Sequence, residues 1–134
     1  LRVDNLKGST TGGSINVLSE GTSVTTNMQQ GLAKAWCNFN GTGTIATRDS
    51  FNVSGLTDNA TGSYNVNLTN AMNSASYVTT ASVNYDSSGS AGSVIQPDRG
   101  NNTATLVFLE TRSGTQGSDV DREHNLVAVH GDLA

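Results

Sequence analysis

The chain has 134 residues and a formal net charge of −4, which is room for one domain of ordinary size rather than two. Its 16 Ser, 17 Thr, 15 Asn and 15 Gly make up nearly half of it, against 34% hydrophobic and 5% aromatic residues. That composition describes a turn-rich protein with a thin core, one that gains stability from a neighbouring subunit. Seven scattered Lys and Arg give no basic stripe, so neither nucleic acid nor an anionic membrane is expected as a partner. The apolar runs fall far short of the roughly 20 residues of a membrane span, and the opening residues do not read as a signal segment. A lone cysteine, Cys37, excludes an internal disulfide framework.

In chain order, residues 1–31 scatter Val3, Leu6, Ile15, Val17 and Val24 among Gly8, Gly12, Gly13 and Gly21. They carry too few apolar side chains to close a core. This N-terminal extension reads either as an extra strand or as an intertwined stalk and attachment segment; no heptad supports a coiled coil. Gln29 to Trp36 offers at most a short helical turn. From residue 32 to 134 the pattern is that of a β domain. Ala33, Ala35, Cys37 and Phe39 alternate with Lys34, Trp36 and Asn38, and Phe51 to Val53 repeats the pattern briefly. Tyr64, Val66 and Leu68 mark a second half-buried strand, and Tyr77, Thr79, Ala81, Val83 and Tyr85 a third. The runs Ala104 to Glu110 and Leu126 to Val129 are nearly continuously apolar, which predicts central strands covered on both faces. Turn signals at 40–43, 57–62, 86–93, 97–102 and 112–121 separate these strands. The expected fold is all-β, an antiparallel β-sandwich or jelly-roll-like domain. Its expected core is Phe39, Phe51, Tyr64, Val66, Leu106, Phe108, Val127 and Val129.

The sequence carries no Gly-x-Ser-x-Gly elbow, phosphate loop or Gly-x-Gly-x-x-Gly, and His124 and His130 lack the i, i+4 spacing of a helical zinc pair. The one dense cluster, Asp119-Val120-Asp121-Arg122-Glu123-His124, reads as a solvated acidic turn leading into the last strand. A calcium loop is the alternative, but the following Gly and the carboxylate at the twelfth position are missing. Glu110 or Glu123 could face Asp119 or Asp121 as a glycosidase pair, though nothing in the spacing selects one. Trp36 is assigned to core or inter-subunit packing, with carbohydrate stacking as the other reading. Cys37 reads as an inert buried thiol. Asn-x-Ser/Thr matches at Asn40, Asn52, Asn59, Asn67 and Asn101 are what chance gives at this composition. No catalytic, cofactor-binding or metal-binding residue is assigned. Recognition, if present, is expected on the loops 86–100 and 112–121, with Tyr85, Asp98 and Arg99 as candidate receptor contacts.

Three stretches carry a resemblance: Ala33-Lys34-Ala35-Trp36-Cys37-Asn38-Phe39-Asn40-Gly41-Thr42-Gly43, Arg48-Asp49-Ser50-Phe51-Asn52-Val53-Ser54, and Thr57-Asp58-Asn59-Ala60-Thr61-Gly62-Ser63-Tyr64-Asn65-Val66-Asn67. With Ala71-Met72, Tyr77 and the ending Gly131-Asp132-Leu133-Ala134, they resemble a domain of tail-fibre-like and other virion structural proteins of marine tailed bacteriophages. Leu1 to Leu6 is similar to the extended leader preceding that domain. The chain departs from the pattern at Cys37, where valine is usual, at Asn73, where proline is frequent, and at His130, where an aromatic is common. The resemblance implies a non-enzymatic, homotrimeric β domain on the virion surface. It would attach to other virion proteins through its N-terminal segment and contact a host receptor or surface glycan. A capsid decoration or head-fibre protein is the alternative within that family; a small glycan-degrading enzyme is a third reading, and would need an acidic groove that the spacing does not supply.

Overall fold

A computed structural model of the chain describes residues 4–18, 21, 23–84, 93–97, 100–114 and 117–134. It divides into two compact units, residues 1–33 and 34–134. In the first unit, β1 (Asn16–Leu18) pairs antiparallel with β2 (Thr25–Asn27), followed by one helical turn, α1 (Met28–Gly31). Asn27 caps that turn, its side chain accepting from the Gln29 amide at 2.9 Å, and the Met28 amide donates to the Ile15 carbonyl at 2.7 Å. No described residue before Lys34 is buried, and Leu6, Val17, Leu18, Val24 and Leu32 are all exposed. The scarcity of apolar side chains has the consequence that the composition implies: local hydrogen bonds without a core.

The second unit is an antiparallel β-sandwich of two four-stranded sheets. The first sheet has the order β4-β3-β10-β7, from β3 (Ala35–Asn40), β4 (Ala46–Phe51), β7 (Val78–Val83) and β10 (Asn125–His130). The second has the order β5-β6-β9-β8, from β5 (Val53–Ala60), β6 (Ser63–Leu68), β8 (Ser93–Pro97) and β9 (Leu106–Ser113). The chain switches sheets between β4 and β5 at Asn52, whose φ of 56° suits a short amide side chain better than most. The Asn52 side chain fixes that corner, donating to the Lys34 carbonyl at 2.9 Å and accepting from the Asn70 amide at 2.8 Å. Gly62 turns β5 into β6 at φ 69°, and a Cβ there would lie 2.5 Å from the Thr111 carbonyl oxygen, so the turn needs glycine twice over. No described helix is long and apolar enough to cross a membrane.

Alternation sets the core. Ala35, Cys37 and Phe39 face inward from β3, Tyr64, Val66 and Leu68 from β6, and Val127 and Val129 from β10. Phe39 and Tyr64 meet edge to face across the two sheets, with ring centroids 5.3 Å apart and planes at 74°. Three of the expected core residues lie elsewhere. Leu106 and Phe108 are only half-buried, while Val107 and Leu109 are fully enclosed. An apolar run without alternation does not mark its own inner face. The pairing of β9 with β6 does so, setting Val107 opposite Val66 and Leu109 opposite Tyr64. Phe51 is 54% exposed because it pairs with Trp36, which points outward once Ala35 and Cys37 point in. Strands β9 and β10 are central in their sheets, yet only one face of each is covered; Leu126 remains 40% exposed.

Leu109→Ala is expected to cost about 2–5 kcal/mol and Phe108→Ala distinctly less. Chemical denaturation of the two variants beside the parent checks the inner face of β9 directly.

Candidate functional site

The loop candidates Tyr85, Asp98 and Arg99 lie outside the described residues. What the fold does assemble is a polar latch at one end of the sandwich and a groove on the outer face of its first sheet.

The latch corrects the picture of a solvated acidic turn. Asp121 is half-buried, and one carboxylate oxygen accepts from the Gly62 amide at 2.7 Å and from the Tyr64 hydroxyl at 2.7 Å. Beside it Arg122 is 9% exposed, and its carbonyl accepts from the Gly41 amide at 2.9 Å and from Asn125 Nδ2 at 2.7 Å. Asn125 is wholly enclosed and also accepts from the Thr111 hydroxyl at 3.3 Å. The other carboxylates of the region are taken up by cations. Arg112 lies between Glu110 at 3.0 Å and Asp119 at 3.2 Å, and Arg48 pairs with Glu123 at 3.0 Å and also donates to the Glu123 carbonyl. These pairs are exposed and add little stability. Their effect is to hold each carboxylate against a guanidinium rather than against a second carboxylate. Among the described residues, no group of three or more His, Cys, Asp or Glu side chains is placed to hold a metal ion.

The groove has a different character. Two rows of outward side chains cross the first sheet in register. One row runs Phe51, Trp36, Ala128, Thr80; the next runs Asp49, Asn38, Leu126, Ser82. Between them lies an open hollow of about 420 Å³ lined by Trp36, Asn38, Asp49, Thr80, Ser82 and Leu126 among others, with no Lys or Arg in its lining. Trp36 is 37% exposed, so it does not belong to the core of the domain, to which core packing would have assigned it. Asn38 Oδ1 is enclosed and has no hydrogen-bond partner. On the outer face of the second sheet side chains pair with one another instead: Asn59 donates to Asn65 at 3.0 Å, and Asn67 donates to Thr57 at 3.0 Å. The sequence set Trp36 opposite the small-residue face of its strand. It could not show that Asp49 and Leu126 would flank Asn38, because that is decided by strand pairing.

The inward side of the same strand is chemically quiet. Cys37 is 2% exposed, and burial pushes its thiol up from 9.0 to about 11, away from thiolate reactivity. Burial likewise raises Tyr77 from 10.0 to about 12. Tyr64 is raised further, first by burial and then by its hydrogen bond to the Asp121 carboxylate and the charge there. Compared with known protein families, curated proteins and solved structures, the chain matches none.

Raised acid groups set the sign of the alkaline response. The folded chain holds these protons more tightly than the unfolded chain, so the stability they contribute is complete below the unfolded values and is lost as pH rises. Denaturant midpoints are therefore expected to fall from about pH 9, where the unfolded thiol begins to ionise, towards about pH 12. Cys37→Ala should remove the first part of that fall. Separately, Asp121→Ala leaves the buried Tyr64 hydroxyl and the Gly62 amide without their acceptor, with an expected cost of about 1–3 kcal/mol by thermal or chemical melting.

Proposed function

We propose that this chain is a non-enzymatic structural module of a bacteriophage virion exterior, of tail-fibre type, built as a homotrimer and displayed to the host surface. The observation that carries this reading is the contrast between the two units: a sandwich with a closed core, and a segment in which Leu6, Val17, Leu18, Val24 and Leu32 are exposed and no described residue is fully buried. A segment of that kind is completed by other chains, either copies of itself or neighbouring virion proteins. The resemblance of residues 33–67 to tail-fibre-like virion domains supports the setting. Support for a non-catalytic role comes from the carboxylates, which are held by Arg112, Arg48, Tyr64 and Gly62 in structural pairs. Catalysis would need them free and convergent in a sheltered cleft.

Sedimentation of the full chain over a dilution series is expected to show a trimer that dissociates with loss of stability. Val24→Asp and Leu32→Asp should each shift the equilibrium towards monomer. A folded, stable monomer at nanomolar concentration would refute the assembly. Position is read on intact particles by reconstruction or antibody labelling. Copies in small multiples around the tail support the fibre, and a symmetric array over the shell would make the protein a capsid decoration instead.

A further inference from the structure

We propose that the groove on the outer face of the β4-β3-β10-β7 sheet binds a neutral carbohydrate, with the Trp36 ring as stacking platform and the Asn38 carboxamide and Asp49 carboxylate as hydrogen-bond partners for sugar hydroxyls. The inference deepens the surface-contact part of the reading above and rests on it for its biological setting, while its chemistry comes from the groove alone. A sugar ring presents an apolar C–H face and a rim of hydroxyls. The groove presents the complement of both: the exposed indole of Trp36, extended by Phe51 directly opposite it on β4, and one strand position further along the sheet a carboxylate and a carboxamide side by side.

Three details select this class of ligand. The Asn38 carboxamide lines the hollow and, as an amide, carries both donor and acceptor capacity for a hydroxyl. Thr80 and Ser82 line the opposite side of the hollow and can both donate and accept, matching the mixed capacity of a polyol. Asp49 is the charged group of the lining, and no Lys or Arg lines the hollow with it, so an acidic sugar or a phosphate would meet repulsion with no cation to offset it. The volume of about 420 Å³ falls at the lower end of small-molecule sites, enough for a short glycan segment rather than a long chain. A second copy of this chain is the competing occupant. In that arrangement each copy would bury the Asp49 carboxylate with no cation in the groove to receive it, which makes the contact costly.

Trp36 is the single tryptophan, so its fluorescence reports the groove without a label. The full chain is titrated with glucose, galactose, mannose, N-acetylglucosamine and their short oligomers, with glucuronic acid as the acidic comparison. At least one neutral sugar is expected to give a saturable change in Trp36 emission within the millimolar range, and glucuronic acid a weaker one. Amide shifts should be confined to Trp36, Asn38, Asp49, Thr80, Ser82 and Leu126, leaving Asn59 and Asn65 on the other sheet unmoved. Asn38→Ala and Asp49→Ala should each weaken binding about tenfold or more while melting stays near the parent. Trp36→Phe, which keeps a ring and the strand, should weaken binding without abolishing it. The proposal is overturned if no neutral sugar gives a saturable response, or if the response survives Asn38→Ala unchanged. It is also overturned if Trp36 emission shifts to the blue with protein concentration alone, which would mean that a second copy covers the face. Absence of the protein from virions would instead remove the setting and leave the sugar response intact, so the two failures are told apart.

Discussion

One carboxylate oxygen organises the end of the sandwich. Asp121 sits on the connection between β9 and β10, and by accepting from the Tyr64 hydroxyl and the Gly62 amide it ties that connection to β6 and to the β5-β6 turn. The next residue passes the constraint on: the Arg122 carbonyl receives the Gly41 amide from the β3-β4 turn and the Asn125 side chain from the head of β10. Both sheets are thus fastened at a single polar point, directly above the Phe39–Tyr64 contact that joins them through the core. A chain with 34% hydrophobic residues has few large side chains with which to lock two sheets in register. A fully satisfied buried network supplies the specificity that the core supplies in a richer sequence. The latch also explains why the buried Tyr64 and Asn125 are tolerated at all, since each would be an expensive residue in that place without its partners.

The strands were legible wherever polarity alternated. β3, β6 and β7 fall where the period-two pattern sets them, and the inner faces of β3 and β6 are those read from the residues. Legibility failed where the local signal was silent about direction. Ala104 to Glu110 is apolar throughout, so only the hydrogen-bonded pairing with β6 decides that Val107 and Leu109 face in and Phe108 out. Phe51 failed for the same reason, since its three-residue pattern was too short to fix a face and its partner Trp36 fixed it instead. Asp121 escaped notice because a cluster of charged residues has the composition of a solvated turn. Its partners, Gly62 and Tyr64, lie 59 and 57 residues away in sequence. The groove was half visible, in that Trp36 was set on the outward side of its strand, whereas the row of Asp49, Asn38, Leu126 and Ser82 exists only once three strand pairings are in place.

The two outer faces of the sandwich have been treated differently by the same composition. On the second sheet the Asn and Thr side chains turn to one another, Asn59 to Asn65 and Asn67 to Thr57, and so satisfy their hydrogen bonds within the sheet. On the first, Asn38 Oδ1 has no hydrogen-bond partner, and the Asp49 carboxylate beside it accepts from the Ser50 amide of its own strand at 2.8 Å. The neighbours of Asn38 across the strands are the carboxylate of Asp49 and the aliphatic side chain of Leu126, and neither donates to its oxygen. The chain has 5% aromatic residues, and its one tryptophan and one of its three phenylalanines stand on this outer face rather than in the core they would strengthen. Stability of the isolated domain gives no reason for that placement, because enclosing either ring would add burial where the core is thin. Contact with something beyond the domain does give a reason. The groove carries that reason in its lining: Trp36 stands in one hollow with a carboxylate, a carboxamide and two hydroxyls, the pattern of a surface that recognises.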